Sequence, residues 1–192
     1  PGVIRDDLNR KLAKHGLFFG PNTSTSNRCM IGGMVGNNSS GTTSIKYGTT
    51  RDKVISLKVL LSDGTKAEFK DLTLSEFQQK LRLDNLEGEI YRFIDKVLND
   101  KSNQEEIKKN YPPAELHRRN TGYAIDELLS SEVFDPEKGK FNFCKLMAGS
   151  EGTLAFITEI TLELDDLPPG HSAMVAAHYA SVDACMQAVV PA

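Results

Sequence analysis

The sequence predicts an α+β fold in which a mainly antiparallel sheet is flanked by helices. Residues 54–69 have a hairpin pattern: an aliphatic, β-branched run, the turn dipeptide Asp63-Gly64 and a shorter return strand. Residues 158–164 alternate apolar and polar side chains, as a strand with one buried face does. Helical patterns stand apart from these strands, which favours α+β over a doubly wound parallel sheet.

The first third of the chain combines a helix with a glycine-rich segment. Residues 3–15 are predicted to be helical, because apolar residues recur at helical spacing and Gly16 can end the helix. The segment 29–48 then mixes apolar side chains with glycines in its first half. Neither a solvent loop nor a buried strand would need that mixture.

Three helical patterns occupy the middle of the chain. The tetrapeptide TLSE at 73–76 has the form of a capping box and opens a short amphipathic helix. Residues 89–99 carry apolar side chains at helical spacing, and residues 103–110 add one or two further turns that end at Pro112-Pro113.

The last third is predicted to complete the sheet. Residues 141–164 are interpreted as two strands separated by a Gly-Ser-Glu-Gly break, joining the 54–69 hairpin in one sheet on which the 89–99 helix packs. Pro168-Pro169-Gly170 predicts a domain boundary, which divides the chain into 1–168 and 169–192. Beyond it, residues 172–180 are interpreted as an apolar strand, and Ser181 is predicted to cap a helix.

The composition is that of an ordinary globular protein. Of 192 residues, 39% are hydrophobic and 26% charged, and the net charge of -3 is spread without blocks. No apolar run approaches the ~20 residues that cross a bilayer. These features argue against a nucleic-acid partner and a transmembrane segment.

The cysteines and the two ends of the sequence give further expectations. The 3 cysteines are scattered without a Cys-x-x-Cys spacing, which argues against a disulfide framework or a metal site and suits a reducing, cytoplasmic compartment. The sequence opens without Met and stops inside an apparent helix. It is therefore interpreted as a segment of a longer polypeptide.

The glycine-rich segment fits neither of two common phosphate loops. It contains no Gly-x-Gly-x-x-Gly pattern, and Gly41 is followed by Thr42-Thr43 rather than by Lys-Ser or Lys-Thr. Glycines do allow backbone amides to approach an anion or a flat ring, and neighbouring hydroxyls can add hydrogen bonds. Two interpretations stay open at this point: a ligand-binding segment, or two surface turns rich in Gly, Asn and Ser.

Three motifs in order resemble a known family. They are GLFFGPNTSTSNRCMIGGMVGNNSSGTTSIKYGTTRDKVISLKVLLSDGT at 16–65, RRNTGYAIDELL at 118–129 and LMAGSEGTLAFITEITLEL at 146–164. Together they resemble the second subdomain of the FAD-binding domain of the FAD-linked oxidase superfamily, which includes vanillyl-alcohol oxidase. Within it they are most similar to bacterial D-2-hydroxyacid dehydrogenases of the D-lactate and D-2-hydroxyglutarate kind. The resemblance runs from residue 1 to about 168.

The resemblance implies a set of FAD-binding residues. Hydroxyls and amides of one group would line the flavin, a second group would pass near the pyrophosphate and ribose, and a third would flank the cofactor with its backbone. The three groups are Pro21, Thr23, Ser24, Thr25, Ser26, Met30, Ile31, Gly32 and Gly33; Asn37, Ser39, Ser40 and Gly41; and Glu151, Gly152 and Ile157. Met30 stands where the family usually has threonine, and Ala155 where it has glycine, so both single contacts depart from the pattern.

The resemblance also implies a chemistry and partners. The partners would be FAD, a small 2-hydroxy acid and the remaining parts of the same polypeptide, with hydride passing from the substrate carbon to the flavin. Arg118 and Arg119 are the candidates for binding the substrate carboxylate, although two solvated arginines in a loop explain them as well. No histidine lies in a matching catalytic motif, so no catalytic residue is predicted here.

Two alternatives remain beside this interpretation. The segment could be a folded scaffold module with no activity of its own. It could also belong to an enolpyruvyl reductase of the MurB type, which shares the flavin-binding architecture but fits the NTGY and GSEGTLAFITE motifs less well.

Overall fold

The structure, a computed structural model, describes residues 1–113, 115–116, 118–120, 122–171 and 173–189. Ten α-helices, one 3₁₀ turn (Ala13–His15) and five strands lie in these ranges. The helices are α1 (Arg5–Leu12), α2 (Ile31–Gly36), α3 (Ser44–Tyr47), α4 (Thr50–Lys53), α5 (Leu74–Lys80), α6 (Leu86–Asn99), α7 (Lys101–Asn110), α8 (Ile125–Leu129), α9 (Cys144–Met147) and α10 (Val182–Gln187). The strands are β1 (Leu17–Phe18), β2 (Val54–Leu60), β3 (Lys66–Phe69), β4 (Phe156–Leu162) and β5 (Asp165–Asp166).

The main sheet confirms the predicted α+β class and its antiparallel pairing. Its strand order is β3-β2-β4, and Leu57 of the central strand lies opposite Phe69 on one side and Ile160 on the other. The predicted turn closes the β2–β3 hairpin, where the Asp63 carboxylate accepts hydrogen bonds from the amide and hydroxyl of Thr65 at 2.8 and 2.7 Å. The local turn chemistry thus sets the register of the hairpin.

Helix starts also follow the sequence signals. Thr73 and Glu76 form the capping box of α5, with the Thr73 amide 2.8 Å from a Glu76 carboxylate oxygen. The predicted 89–99 helix lies inside α6, which begins earlier because the Asn85 side chain accepts the Gly88 amide. The predicted 3–15 helix begins at Arg5 and ends in a 3₁₀ turn at Gly16, whose φ is 74°.

An aromatic cluster joins α5 and α6 to the sheet. Phe77, Tyr91, Phe141 and Phe143 are all buried, and their rings meet mostly edge to face, with Phe77 and Phe141 centroids 4.8 Å apart. Tyr91, Ile94 and Leu98 of α6 belong to the same core as the sheet residues Leu57 and Val59. The prediction that this helix packs on the sheet is confirmed.

The prediction of a strand beginning at residue 141 is wrong. Phe141 makes only an isolated bridge with Leu72, and residues 144–147 form α9. Asn142 starts this helical turn, because its side-chain oxygen accepts the Cys144 amide at 2.8 Å. A short apolar run is compatible with a buried strand or a buried helical turn, so its periodicity alone does not decide between them.

Short strands close the N-terminal part against the end of the sheet. β1 pairs antiparallel with β5, so that Leu17 lies opposite Asp166. The ammonium of Lys53 lies 2.6 Å from a carboxylate oxygen of Asp165, and both side chains are largely buried. This contact joins the start of β2 to the second strand pair.

The prediction of an apolar strand after the boundary is also wrong for the described residues. Residues 173–180 contain no strand, and Met174 and Val175 are 96% and 88% exposed. The apolar run has no sheet edge to pair with, and a strand needs one; Ser172 lies outside the described residues. Ser181 does cap α10, because its hydroxyl accepts the Ala184 amide at 3.1 Å. None of the described helices is long and apolar enough to cross a membrane.

Candidate functional site

The first half of the glycine-rich segment forms α2, a helix of six residues. Ile31, Met34 and Val35 are buried on its inner side, which explains the apolar side chains there. Gly32 and Gly33 have different surroundings. A Cβ on Gly32 would lie 2.9 Å from Cβ of Pro1, whereas a Cβ on Gly33 would meet nothing within 4 Å.

The N-terminal residues cover one side of α2. The Gly32 amide donates to the Pro1 carbonyl at 2.8 Å, and the Ile31 amide donates to Val3 at 2.9 Å. Met30 forms a bridge with Ile4 and remains 51% exposed. Gly32 is therefore required for close packing of this segment, and Gly33 is the glycine that faces open space.

The hydroxyl-rich residues 23–28 form consecutive turns beside α1. The Cys29 amide donates to the Thr25 carbonyl at 2.9 Å, and the Thr23 and Thr25 hydroxyls lie 3.2 Å apart. The Ser26 hydroxyl donates to the carboxylate of Asp6 at 3.0 Å. Ser24 is exposed, and its hydroxyl has no hydrogen-bond partner within the described ranges. Ser24 is thus the hydroxyl of this group that is open to a ligand.

The loop after α2 packs against residues 20–22. Thr43 donates its hydroxyl to the Gly20 carbonyl and to the Asn22 side-chain oxygen, both at 2.9 Å. A Cβ on Gly41 would overlap the Asn22 main chain. Gly41 and the buried Pro21 therefore hold two loops together. In the same loop Ser39 is buried and Asn37 exposed, and the Asn37 side chain donates to the Ser39 hydroxyl at 3.1 Å.

The glycine-rich segment meets the Gly-Ser-Glu-Gly turn at 149–152. The Gly149 amide donates to the Val35 carbonyl at 2.9 Å, and the Glu151 amide donates to Gly36 at 2.8 Å. These bonds use the carbonyls at the end of α2, which no residue of the helix itself can satisfy. The turn that carries the predicted residues Glu151 and Gly152 is therefore in direct contact with the end of α2, although the two are distant in sequence.

Backbone strain is concentrated at this junction. Asn38 and Glu151 are the non-glycine residues with positive φ among those described, at 46° and 53°, and Gly152 has a φ of 72°. Left-handed residues other than glycine are uncommon and tend to occur at functional sites. Ser150 is buried, and its hydroxyl has no partner within the described ranges. The strain and this unpaired donor distinguish the junction from an ordinary surface turn.

The two predicted substrate arginines point to different partners. Arg119 forms ion pairs with Asp126 and with Glu127, the second at 3.0 Å. Burial lowers the pKa of Arg119, but the hydrogen bonds and charges of these carboxylates outweigh that effect and raise it. Arg118 is exposed, and its Nε donates to the hydroxyl of Ser40 at 3.3 Å. The guanidinium that is open to a substrate is that of Arg118.

Ile157 is placed apart from the loops. It lies in β4 opposite Val59 and packs partly buried against the main core. Two cavities lie beside the helices. One of about 730 Å³ lies between α7 and α8, and an apolar groove of about 470 Å³ lies beside α6. Arg119 lines the first of these cavities, whereas the described residues of the glycine-rich segment and of the 149–152 turn line neither.

The donor set at this surface fits FAD. Ser24 and Ser40 offer hydroxyls, Ser150 has an unpaired hydroxyl, and Gly33 leaves room for a flat ring to approach the backbone. Flavin and pyrophosphate present acceptors of the kind that amides and hydroxyls bind. The sequence analysis missed Ser150 and Arg51. Ser150 could have been found from its place inside the Gly-Ser-Glu-Gly motif, whereas nothing local marks Arg51, which sits in the polar stretch TTRDK and is nevertheless buried.

Comparison with known proteins gives a consistent assignment. Residues 1–70 match the model of a family described as FAD binding domain. The chain is 34% identical over 189 residues to a D-2-hydroxyglutarate dehydrogenase of Haemophilus influenzae, covering 97% of this chain and 17% of that relative. A D-2-hydroxyglutarate dehydrogenase of Escherichia coli strain K12 is 34% identical over 186 residues, with the same coverage of 97% and 17%.

A relative of lower identity is named for a different substrate. The mitochondrial D-lactate dehydrogenase [cytochrome] of Arabidopsis thaliana is 28% identical over 186 residues, covering 95% of this chain and 21% of that protein. The chain therefore spans about a fifth or less of the length of these curated relatives.

Proposed function

Residues 1–70 match the family described as FAD binding domain, and from this premise we propose that the chain is part of an FAD-dependent dehydrogenase of D-2-hydroxyglutarate. The observation that carries the proposal is the contact between α2 and the 149–152 turn, through Gly149–Val35 and Glu151–Gly36. This contact joins residues that match the family model to the 146–164 motif, which resembles the same family. The turn begins 79 residues beyond the end of the match at residue 70.

Each part of the candidate site has its own role in the proposal. Bound FAD supplies the acceptor for the two electrons removed from the substrate carbon. Thr23–Ser26 and Gly33 would bind and orient the ring, and Asn37–Gly41 would hold the pyrophosphate and ribose. Glu151 and Gly152 would flank the cofactor with backbone groups whose left-handed conformation is already set. Set geometry of this kind reduces the entropy that binding costs.

Arg118 is proposed to bind a substrate carboxylate. Its guanidinium is exposed and, among the described residues, bonds only to the Ser40 hydroxyl at 3.3 Å, so a carboxylate can replace that contact. Arg119 is proposed to support the loop instead, because Asp126 and Glu127 already neutralise it. No residue of this chain is assigned the role of base.

The substrate preference rests on the relatives. Those named D-2-hydroxyglutarate dehydrogenase align over 87–97% of the chain at 33–34% identity, against 28% for the D-lactate enzyme that aligns over 95%. D-2-hydroxyglutarate is therefore preferred over D-lactate.

Two further parts of the proposal concern the chain by itself. Because it spans 17% of the relatives' length, the 192 residues alone are proposed to have no turnover. The chain is also proposed to divide near Pro168-Pro169-Gly170, with residues 1–168 in the FAD-binding domain. In support, β5 ends at Asp166 and the described residues beyond it are mostly exposed.

The test uses the full natural polypeptide in which the chain occurs. We expect the purified protein to show a flavin absorbance spectrum. Under anaerobic conditions D-2-hydroxyglutarate should bleach this absorbance faster than D-lactate does, and NADPH should not bleach it. Bleaching by NADPH alone would contradict the proposal in favour of an enolpyruvyl reductase. Absence of flavin from a folded preparation, with no binding of added FAD, would overturn the cofactor assignment for this protein.

A further inference from the structure

Arg51 lies buried where α4, α9, the Asn38–Ser40 loop and the 149–152 turn meet. The residue is 5% exposed and belongs to α4. Its Nε donates to the carbonyl of Lys145 at 2.9 Å, and its Nη2 donates to the carbonyl of Ala148 at 2.7 Å. Both acceptors lie at the C-terminal end of α9, so the guanidinium caps that helix.

The backbone of Arg51 binds the other side of the junction. Its amide donates to the side-chain oxygen of Asn38 at 2.8 Å. Asn38 is 1% exposed and holds a left-handed φ of 46° at the end of α2. The neighbouring Thr50 hydroxyl donates to the Ser39 carbonyl at 2.6 Å, which fixes the next residue of the same loop.

These contacts close a ring of hydrogen bonds, here called the Arg51 bracket. It runs from Asn38 to Arg51, from Arg51 to Ala148, along the chain to Gly149, and from the Gly149 amide back to the Val35 carbonyl at 2.9 Å. A Cβ on Gly149 would lie 3.1 Å from Nη2 of Arg51, so the guanidinium packs directly on the turn. The bracket therefore sets the position of the 149–152 turn relative to α2 and the Asn38–Ser40 loop.

The charge of Arg51 has no matching ion pair in the described structure. Its guanidinium bonds to main-chain carbonyls, while Glu127, Asp126 and Asp52 act on it only at longer range. Burial lowers the pKa of Arg51, and those carboxylates offset the effect in part. A buried cation bound only by carbonyls carries a desolvation cost. Its role is therefore better explained by the position in which it holds neighbouring segments than by the stability it adds.

We propose that Arg51 is a positioning residue of the FAD site, which holds the two FAD-binding segments at the spacing that the cofactor requires. The inference rests on the proposed function. A planar fork with several donors reaches two carbonyls on different residues, whereas a lysine ammonium has no such fixed fork. Arg51→Lys is therefore expected to keep part of the bracket, and Arg51→Met to lose both side-chain bonds.

The experiment measures FAD affinity and fold stability separately in the full natural polypeptide. We expect Arg51→Met to raise the Kd for FAD by about tenfold or more, since small displacements of binding groups have large effects. Arg51→Lys should fall between Arg51→Met and wild type. The control is Leu98→Ala, which opens the main core at a fully buried residue of α6 and lowers Tm by at least as much. Its Kd should stay within about threefold of wild type, because distant sites act independently.

A second variant keeps the proposal testable if Arg51→Met does not fold. Asn38→Gly permits the same left-handed φ but removes the acceptor for the Arg51 amide, whereas Asn38→Asp keeps that acceptor. Asn38→Gly should weaken FAD binding, and Asn38→Asp should affect it less. Hydrogen exchange at the Gly149 and Glu151 amides should be faster in Arg51→Met and Asn38→Gly than in Leu98→Ala, and this readout requires no FAD.

The outcomes separate the two proposals. Wild type that binds no FAD would overturn the proposed function and, with it, the flavin role of the bracket. Wild type that binds FAD, together with normal affinity in Arg51→Met, would overturn the bracket alone. Equal loss of FAD in Leu98→Ala would do the same, because it would show that general stability sets the affinity.

Discussion

The amide of Glu151 donates a 2.8 Å hydrogen bond to the carbonyl of Gly36, and so joins a strained turn to the last residue of α2. Glu151 holds a φ of 53°, which a glutamate rarely adopts. The bond caps the end of the helix and fixes the backbone of the Gly-Ser-Glu-Gly turn. The predictions below concern this junction, its neighbouring glycines, the core beneath it and the C-terminal residues.

Gly33→Val is expected to weaken FAD binding without destabilising the fold. The new side chain would fill the open space above α2, and valine forms helix better than glycine. We expect at least about tenfold weaker binding, about 1.4 kcal/mol, with an unchanged or slightly raised Tm. Flavin content and thermal melting of the full natural polypeptide measure the two effects.

Gly139→Val is the matched control, because Gly139 also has open space around its Cβ position but is not among the predicted site residues. It should keep its full flavin content.

Gly32→Val should instead lower stability by about 1–3 kcal/mol, since its Cβ would lie 2.9 Å from Pro1. Normal FAD affinity in Gly33→Val would remove α2 from the cofactor site.

Substitution of Glu151 should depend on the backbone conformation that the new residue tolerates. Glu151→Val is expected to cost about 1–2 kcal/mol of unfolding free energy, because a β-branched residue is strained at a φ of 53°. Glu151→Asn should stay within about 0.5 kcal/mol of wild type, since asparagine accepts the left-handed region. Urea unfolding measures both. Equal stability of the two variants would show that Glu151 is not strained.

The fold should lose stability as the pH rises, because the buried thiol of Cys144 cannot ionise readily in the folded state. Burial raises the pKa of this thiol to about 12, whereas an unfolded cysteine ionises near 8.5. Between these values the folded state holds a proton that the unfolded state has released, so unfolding becomes easier as the pH rises. The loss amounts to about 2 kcal/mol by pH 10.

Cys144→Ser keeps the approximate size of the side chain but does not ionise, and it separates this effect from that of other groups. Its unfolding free energy should fall less steeply than that of wild type from pH 8 to 10. Parallel profiles would contradict the prediction. In a thiol-labelling experiment the exposed Cys185 should react first, and Cys144 only after unfolding.

Limited proteolysis should cut the chain shortly after Asp166. Residues 167–171 and 173–181 are exposed and, as far as they are described, hold neither helix nor strand, so a protease of broad specificity can bind them in extended form. We expect a stable product that ends near residues 168–181 and contains the whole antiparallel sheet. Uniform resistance through residue 189 would instead show that the C-terminal residues are integral to the first domain.

Much of the fold could be predicted from sequence because its signals are local. The Asp63-Gly64 turn, the Thr73–Glu76 capping box and the Ser181 cap each act through hydrogen bonds between residues two or three apart. Both partners of each such bond lie within a stretch of a few residues, so a short sequence pattern is enough to predict it. The α+β class followed from these local elements and from the separation of helices and strands along the chain.

Candidate site residues could be named from the resemblance, but their surroundings could not. Gly32 and Gly33 are neighbours in sequence, yet one packs on Pro1 and the other faces open space. Arg118 and Arg119 are likewise adjacent, and only Arg119 meets two carboxylates. Such differences depend on which segments fold over each residue, and sequence spacing does not contain that information.

The sequence by itself determined the antiparallel hairpin and the helix caps, since each depends on a few contiguous residues, and its ordered motifs were enough for a resemblance to FAD-binding proteins. The tertiary structure alone decided that residues 144–147 form a helix, that residues 173–180 have no strand, and that Arg51 is buried in the bracket. The physical reason is that a strand requires a partner edge, and a buried cation requires acceptors from distant segments. The carbonyls of Lys145 and Ala148 that hold Arg51 lie more than 90 residues away along the chain.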